Sequence, residues 1–316
     1  MGGGNGSQKR FCRRTLLRPG VKLARLLESY PITMTTGLVL GLLLGGFPVL
    51  TKEISMASLA VAMTLSLTSV TLAQTRGRDH LGHAAWALVI NYGALTALIL
   101  AIAVFFDADI RNGWILMAAA PSAVSVVPFT TILGGQTSKA LFSTAVNYVV
   151  ALVLMPVLTL ALIGSAVSVT SLIIYILLLI VLPMALSRAV MRTNISRAAN
   201  SSILNVSMAV LVFAVAGANR SAFQGELLLI GAISVACILR TFGSGLLTEV
   251  VLRRVRIPKP ARISYVLFSS YKNLGLTATL AIALFEPIVA VPATICIVFE
   301  VVWVIFLIRF YPRFPD

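Results

Sequence analysis

The sequence predicts an all-α integral membrane protein of ten transmembrane helices, arranged as two inverted five-helix repeats. Three observations lead there: an apolar composition, ten apolar runs of bilayer length, and an alternation of loop charge between them. Of the 316 residues, 59% are hydrophobic and only 11% are charged, against roughly 25% charged in an ordinary soluble domain. So few charges would not cover the surface of a soluble protein, and lipid is the natural solvent for most of the chain. The net charge of +15 is assigned to loops that set topology and not to nucleic-acid binding. Cys12, Cys237 and Cys296 are scattered, with no metal spacing, and His80 and His83 fall in one basic stretch read as a solvated loop. No cofactor or metal site is expected.

Residues 1–30 are Gly-rich and then basic. Arg13-Arg14 faintly resembles a twin-arginine signal, but Lys22, Arg25 and Glu28 interrupt the apolar core that such a signal needs. This segment reads as a cytoplasmic anchor, with Val21–Leu27 as a short amphipathic piece on the membrane surface. Residues 31–316 then form the ten-helix unit. Its spans fall near 32–50, 54–73, 84–106, 113–133, 140–162, 170–187, 201–218, 227–250, 263–284 and 288–308, each about long enough for a hydrocarbon core of roughly 30 Å.

Loop charge tests the count. With the N-terminus inside, twenty of the Lys and Arg residues fall on the cytoplasmic side and only Lys52, Arg111 and Arg220 outside. A miscounted helix would scramble that bias, so the pattern predicts a multi-pass protein of the cell membrane with both termini cytoplasmic. Two sets of five helices must run in opposite senses, which is the inverted-repeat plan of many transporters. That plan pairs the fourth span with the ninth, and these are the least regular.

The fourth span carries Pro121 and Pro128 with Ser122 and Ser125 between them, followed by Thr130. Each proline lacks an N–H and clashes with the carbonyl four residues back, which should free carbonyls near Met117 and Val124. Backbone freed at membrane depth must be buried in protein or line a cavity. The ninth span reads Ser269-Ser270-Tyr271-Lys272-Asn273-Leu274-Gly275, with a lysine near its middle and Gly275 beside it. A lysine there costs about 2.5–3.5 kcal/mol on insertion scales, which makes a functional role the default. Two more charges are deep: Arg240 in the eighth span, and Glu300 in the tenth, read as the only acidic residue deep in any span. Glu300 should pair with Arg240 or Lys272. Two cations against one anion leave a surplus positive charge, which suits an anionic substrate. Thr144 and Asn147 in the fifth span are further polar candidates. Asn91 in the third reads as interhelical glue, and the Gly41–Gly46 stretch as close packing.

Residues 120–159, from Ala120-Pro121 through Gly134-Gly135-Gln136 to Pro156-Val157-Leu158-Thr159, resemble the bile acid:sodium symporter family, as do residues 268–292 with Lys272-Asn273-Leu274-Gly275-Leu276, Pro287 and Pro292. The resemblance implies a panel of helices 1, 2, 6 and 7 and a core of helices 3–5 and 8–10. Substrate would bind between them, where broken helices 4 and 9 cross. The family's Ser-Asn pair after the first break falls on Val126 and Val127, its sodium-binding Glu on Phe268 and its Gln on Lys272, while its Thr and Asn are kept as Thr144 and Asn273. Most sodium ligands are thus gone. The Lys272 ammonium could stand where the ion stood, donating to Thr144, Asn273 and freed carbonyls, and loss of its proton would empty that site.

The functional expectation is a secondary transporter of a small or amphipathic organic anion, working by alternating access and not coupled to sodium. The rivals are a sodium-coupled bile-acid-type symporter, a proton-coupled exporter, and a membrane sensor or scaffold without transport. An enzyme is not expected, because no span holds an Asp pair, a His cluster or a Ser-His arrangement.

Overall fold

The computed structural model describes residues 26–68, 78–164, 167–193 and 195–313, so most of the N-terminal basic segment lies outside the described residues. Within them all regular structure is helical and no strand occurs. In chain order the helices are α1 (Tyr30–Leu44), α2 (Thr51–Leu67), α3 (Arg78–Leu88, continued through Val89–Leu95 and Thr96–Ala103), α4 (Ala108–Ala119) and α5 (Val126–Ile132). Then come α6 (Thr137–Ile163), α7 (Val169–Val190), α8 (Arg197–Ala218), α9 (Arg220–Gly225) and α10 (Leu227–Arg254). The chain closes with α11 (Lys259–Ser270), α12 (Leu274–Leu284) and α13 (Val291–Phe310). Six of the described helices (α3, α6, α7, α8, α10 and α13) are long and apolar enough to cross a membrane.

The other four expected spans are not single long helices. The first two are shorter than expected, at 15 residues for α1 and 17 for α2. Gly45 and Gly46, both at positive φ, end α1 in the left-handed conformation that glycine adopts at a helix C-terminus. The fourth and ninth spans are interrupted, as α4/α5 and α11/α12.

The first interruption follows from Pro121. A proline pushes the residue before it out of the helical region, and Ala120 is extended at φ −65°, ψ 149°. Pro128 does not break a helix, contrary to the sequence expectation. It is the third residue of α5, where a backbone N–H has no intrahelical partner anyway. The second interruption follows from Asn273, which caps α12: its Oδ1 accepts from Leu276 N at 3.0 Å while Tyr271 is extended. Gly275, expected to mark the break, lies inside α12. Its missing Cβ lets Met208, Leu211 and Leu59 approach, since a Cβ there would meet each at 3.2–3.3 Å.

α8 packs along α1 and α2, and α7 packs on α2; α3, α4 and α5 pack on α6, while α10 and α13 pack together beside α11 and α12. The α1–α8 seam is close packing through glycine, as expected from Gly41–Gly46. A Cβ on Gly41 would lie 2.6 Å from Phe213 O, and one on Gly217 would lie 2.1 Å from Gly46 N. Large apolar side chains such as Leu43, Leu44, Val153 and Leu228 are exposed on the outer faces, as a lipid-facing surface requires.

Candidate functional site

The two interruptions meet. Asn273 N donates to Pro121 O at 2.8 Å, joining the break in the fourth span to the break in the ninth. Asn91 ties α3 to the same point: its Nδ2 donates to Phe268 O at 2.8 Å and to Tyr271 O at 3.2 Å. It thereby satisfies carbonyls left over at the end of α11. Asn91 sits in a π-helical stretch, Val89–Leu95, and such bulges frequently mark functional sites. Arg240 lies in another, Leu239–Gly243.

Lys272 is wholly buried. Its Nζ donates to Thr96 Oγ1 at 3.1 Å, Ala118 O at 3.0 Å and Ala120 O at 2.9 Å, and lies 4.4 Å from the centre of the Tyr92 ring. An ammonium has three donors, and all three are used. The helix carbonyls are those expected in kind but not in position. Met117 O and Val124 O accept from Ala120 N and Val127 N, because the helix ends at Pro121 and does not merely kink. The carbonyls it leaves open are at Ala118 and Ala120. Thr144 and Asn273 are not partners of the ammonium. Thr144 Oγ1 is buried without a partner, and the Asn273 amide donates to Tyr148 Oη at 2.7 Å and Met63 Sδ at 3.3 Å.

Glu300 pairs with Arg240, at 2.7 Å between Oε1 and Nη1. Its link to Lys272 is to the backbone, whose N–H donates to Oε1 at 3.3 Å. A second pair, Arg262 with Glu249 at 3.1 Å, is also buried, and Tyr311 Oη donates to Glu249 Oε2 at 3.0 Å. Glu249 is therefore a second buried acid, placed near the end of α10 and not in mid-span as Glu300 was expected to be. The sequence carries no signal of this burial, because Glu249 lies one turn from a basic cluster at the end of α10.

A cleft that opens to solvent lies at the crossing. On one side it is lined by residues of α1, α2 and α8, such as Tyr30, Met63 and Met208, and on the other by Ser125, Asn273 and Glu300. Gly275 and Lys272 border it as well. The remaining expected site residues are buried elsewhere. Thr130, Ser269 and Ser270 donate back to carbonyls of their own helices, Val126 O and Val266 O, a common fate for hydroxyls in helices. The Asn147 amide donates to Ser143 O at 2.9 Å, and Ser122 Oγ is buried without a partner.

Two readings of loop and cysteine residues change. His80 and His83 lie inside α3, which starts earlier than expected. His83 is buried, with Nδ1 2.8 Å from Ser143 Oγ and its ring stacked on Tyr265. Cys237 and Cys296, remote in sequence, lie side by side as buried free thiols.

A search of curated proteins finds no match. Residues 47–311 match the SBF-like CPA transporter family, a part of the bile acid:sodium symporter/CPA superfamily. The match spans both interruptions, every buried charge described above and the cleft lining apart from Tyr30. The chain is thus a multi-pass membrane protein that belongs to the SBF-like CPA transporter family.

Proposed function

We propose that this protein is a secondary transporter that moves a small or amphipathic organic solute by alternating access without sodium, using the Lys272 ammonium as a tethered cation. In this reading ten transmembrane helices form two inverted repeats, counting α4/α5 and α11/α12 as one interrupted span each. α1, α2, α7 and α8 form the panel, and α3–α6 with α10–α13 form the core. The protein lies in the cell membrane with both termini in the cytoplasm.

The carrying observation is the environment of Lys272 Nζ, held by Thr96 Oγ1, Ala118 O and Ala120 O above the Tyr92 ring. Such a shell of oxygens beside broken helices is what a transported cation would need. An ammonium already in it leaves no room for sodium, and at about 4 Å and an effective dielectric near 20 it repels one by roughly 4 kcal/mol. Loss of the ammonium proton would empty the shell, which makes the proton the natural coupling ion. An anionic solute would need a surplus cation facing it. The ammonium is turned into the core, so the sign of the solute is decided by other groups.

Sodium itself is the probe. Replacing choline with sodium at fixed pH and ionic strength should leave the thermal midpoint of the wild-type protein in nanodiscs unchanged. Lys272→Gln should make the midpoint sodium-dependent, because ligands stabilise the state they bind. A sodium-dependent wild type that loses this response in Lys272→Gln would overturn the reading.

A further inference from the structure

Building on the reading of the cleft as the solute route, we propose that the solute recognised there is an amphipathic organic cation, a protonated amine with an apolar body, and not an anion. Lys272 Nζ spends its three N–H groups on Thr96, Ala118 and Ala120, none of which lines the cleft. Arg240 is wholly buried, bound to Glu300 and Thr241, and does not line the cleft either. The Lys272 ammonium thus has no donor left, and the unpartnered Nε and Nη2 of Arg240 belong to a side chain that does not reach the cleft.

Glu300 does line it. Its Oε1 accepts from Arg240 and from the Lys272 backbone. The carboxylate keeps unused lone pairs at Oε2, and the residue is 6% exposed. An ionised carboxylate accepts about four hydrogen bonds. Among the described lining residues it is therefore the charged group with capacity to spare. An anion entering here would lose its water, meet a carboxylate at contact distance, and find no charged donor in return. An ammonium would lose its water and find a charge-assisted acceptor. The hydroxyls of Tyr30, Ser66 and Ser125 serve either sign, because a hydroxyl both donates and accepts. The rest of the lining is apolar, including Leu59, Met63, Met208 and Ile297. Methionines suit a varied apolar body, since an unbranched thioether adapts its shape.

The test compares two matched probes, 2-phenylethylammonium and 3-phenylpropanoate, on the full-length protein in nanodiscs. The amine should raise the thermal midpoint of the wild type saturably, and the carboxylate should not. Glu300→Gln should weaken the amine about tenfold or more, the loss of one charge-assisted hydrogen bond. Glu300→Gln unpairs Arg240, so Ser125→Lys is the second variant: it adds a cation to the cleft and leaves the buried pair intact. It should abolish the amine's effect and let the carboxylate stabilise. A wild type stabilised by the carboxylate, or by neither probe, or an amine effect that survives Ser125→Lys, would overturn the proposal. Counterflow of the amine in proteoliposomes separates the two readings: saturable binding with no counterflow upholds the cation site and sinks only the transport reading.

Discussion

Replacing Glu300 with Gln removes the partner of a guanidinium that is wholly buried. Arg240 already has Nε and Nη2 without hydrogen-bond partners, so its charge is balanced at one point, the 2.7 Å contact of Nη1 with Glu300 Oε1. Breaking a buried pair from one side costs about 3–5 kcal/mol, most of it the stranded charge. Glu300→Gln and Arg240→Gln should each fall in that range. The double variant removes both charges and should cost about 2 kcal/mol or more less than the sum. Lys272 gives the internal control. It reaches Glu300 through its backbone N–H, which Lys272→Gln retains. The Lys272–Glu300 cycle should therefore be additive to within about 0.5 kcal/mol. The assay is reversible unfolding by denaturing detergent in mixed micelles, followed by tryptophan fluorescence. Trp303, whose Nε1 donates to Ser270 Oγ at 2.9 Å, reports on the packing of α13 against α11. Additivity of the Arg240–Glu300 cycle, or coupling confined to Lys272–Glu300, would refute the pairing and with it the separation of the two buried cations.

Topology and packing supply two more tests. In a background without native cysteines, a cysteine at the exposed Met191 should react with an impermeant reagent only from the cytoplasmic side, and one at Asp109 or Ser221 only from outside; swapped labelling would overturn the orientation. Gly217→Ala puts a methyl 2.1 Å from Gly46 N, and the obstacle is backbone that cannot turn aside. It should cost about 1–3 kcal/mol by overpacking in the same unfolding assay, and a wild-type midpoint would show that α1 and α8 are not held at that distance.

Membrane residence, the positions of the polar breaks and the charges Arg240, Lys272 and Glu300 are legible from residue types, because lipid penalises each polar group whatever its partner. Pro121 announced the end of α4, since its ring dictates the conformation of Ala120 locally. Pro128 looked equivalent, and was not: a proline breaks a helix only when something helical precedes it, and Pro121 had already ended the helix. Gly275 misled in a related way. A glycine beside a break can supply a bend or a close approach, and here it supplies the approach to Met208 and Leu211. Glu249 carries no signal in the sequence and His83 reads as solvated because each sits at the edge of a basic stretch, where sequence cannot separate a solvated side chain from one folded inward.

Residue types alone place the chain in lipid, interrupt its helices near Pro121 and Lys272, and require partners for Arg240, Lys272 and Glu300. Those conclusions follow from one-body energies: apolar transfer, the missing N–H of proline, the cost of burying a charge. The pairings needed the three-dimensional packing. It gave Glu300 to Arg240, turned the Lys272 ammonium toward Thr96, Ala118 and Ala120 and away from the cleft, and left the Glu300 carboxylate facing it. A partner is a matter of distance and direction between residues far apart in the chain. Long side chains such as Lys and Arg can reach several candidates from one backbone position, so depth alone does not select among them.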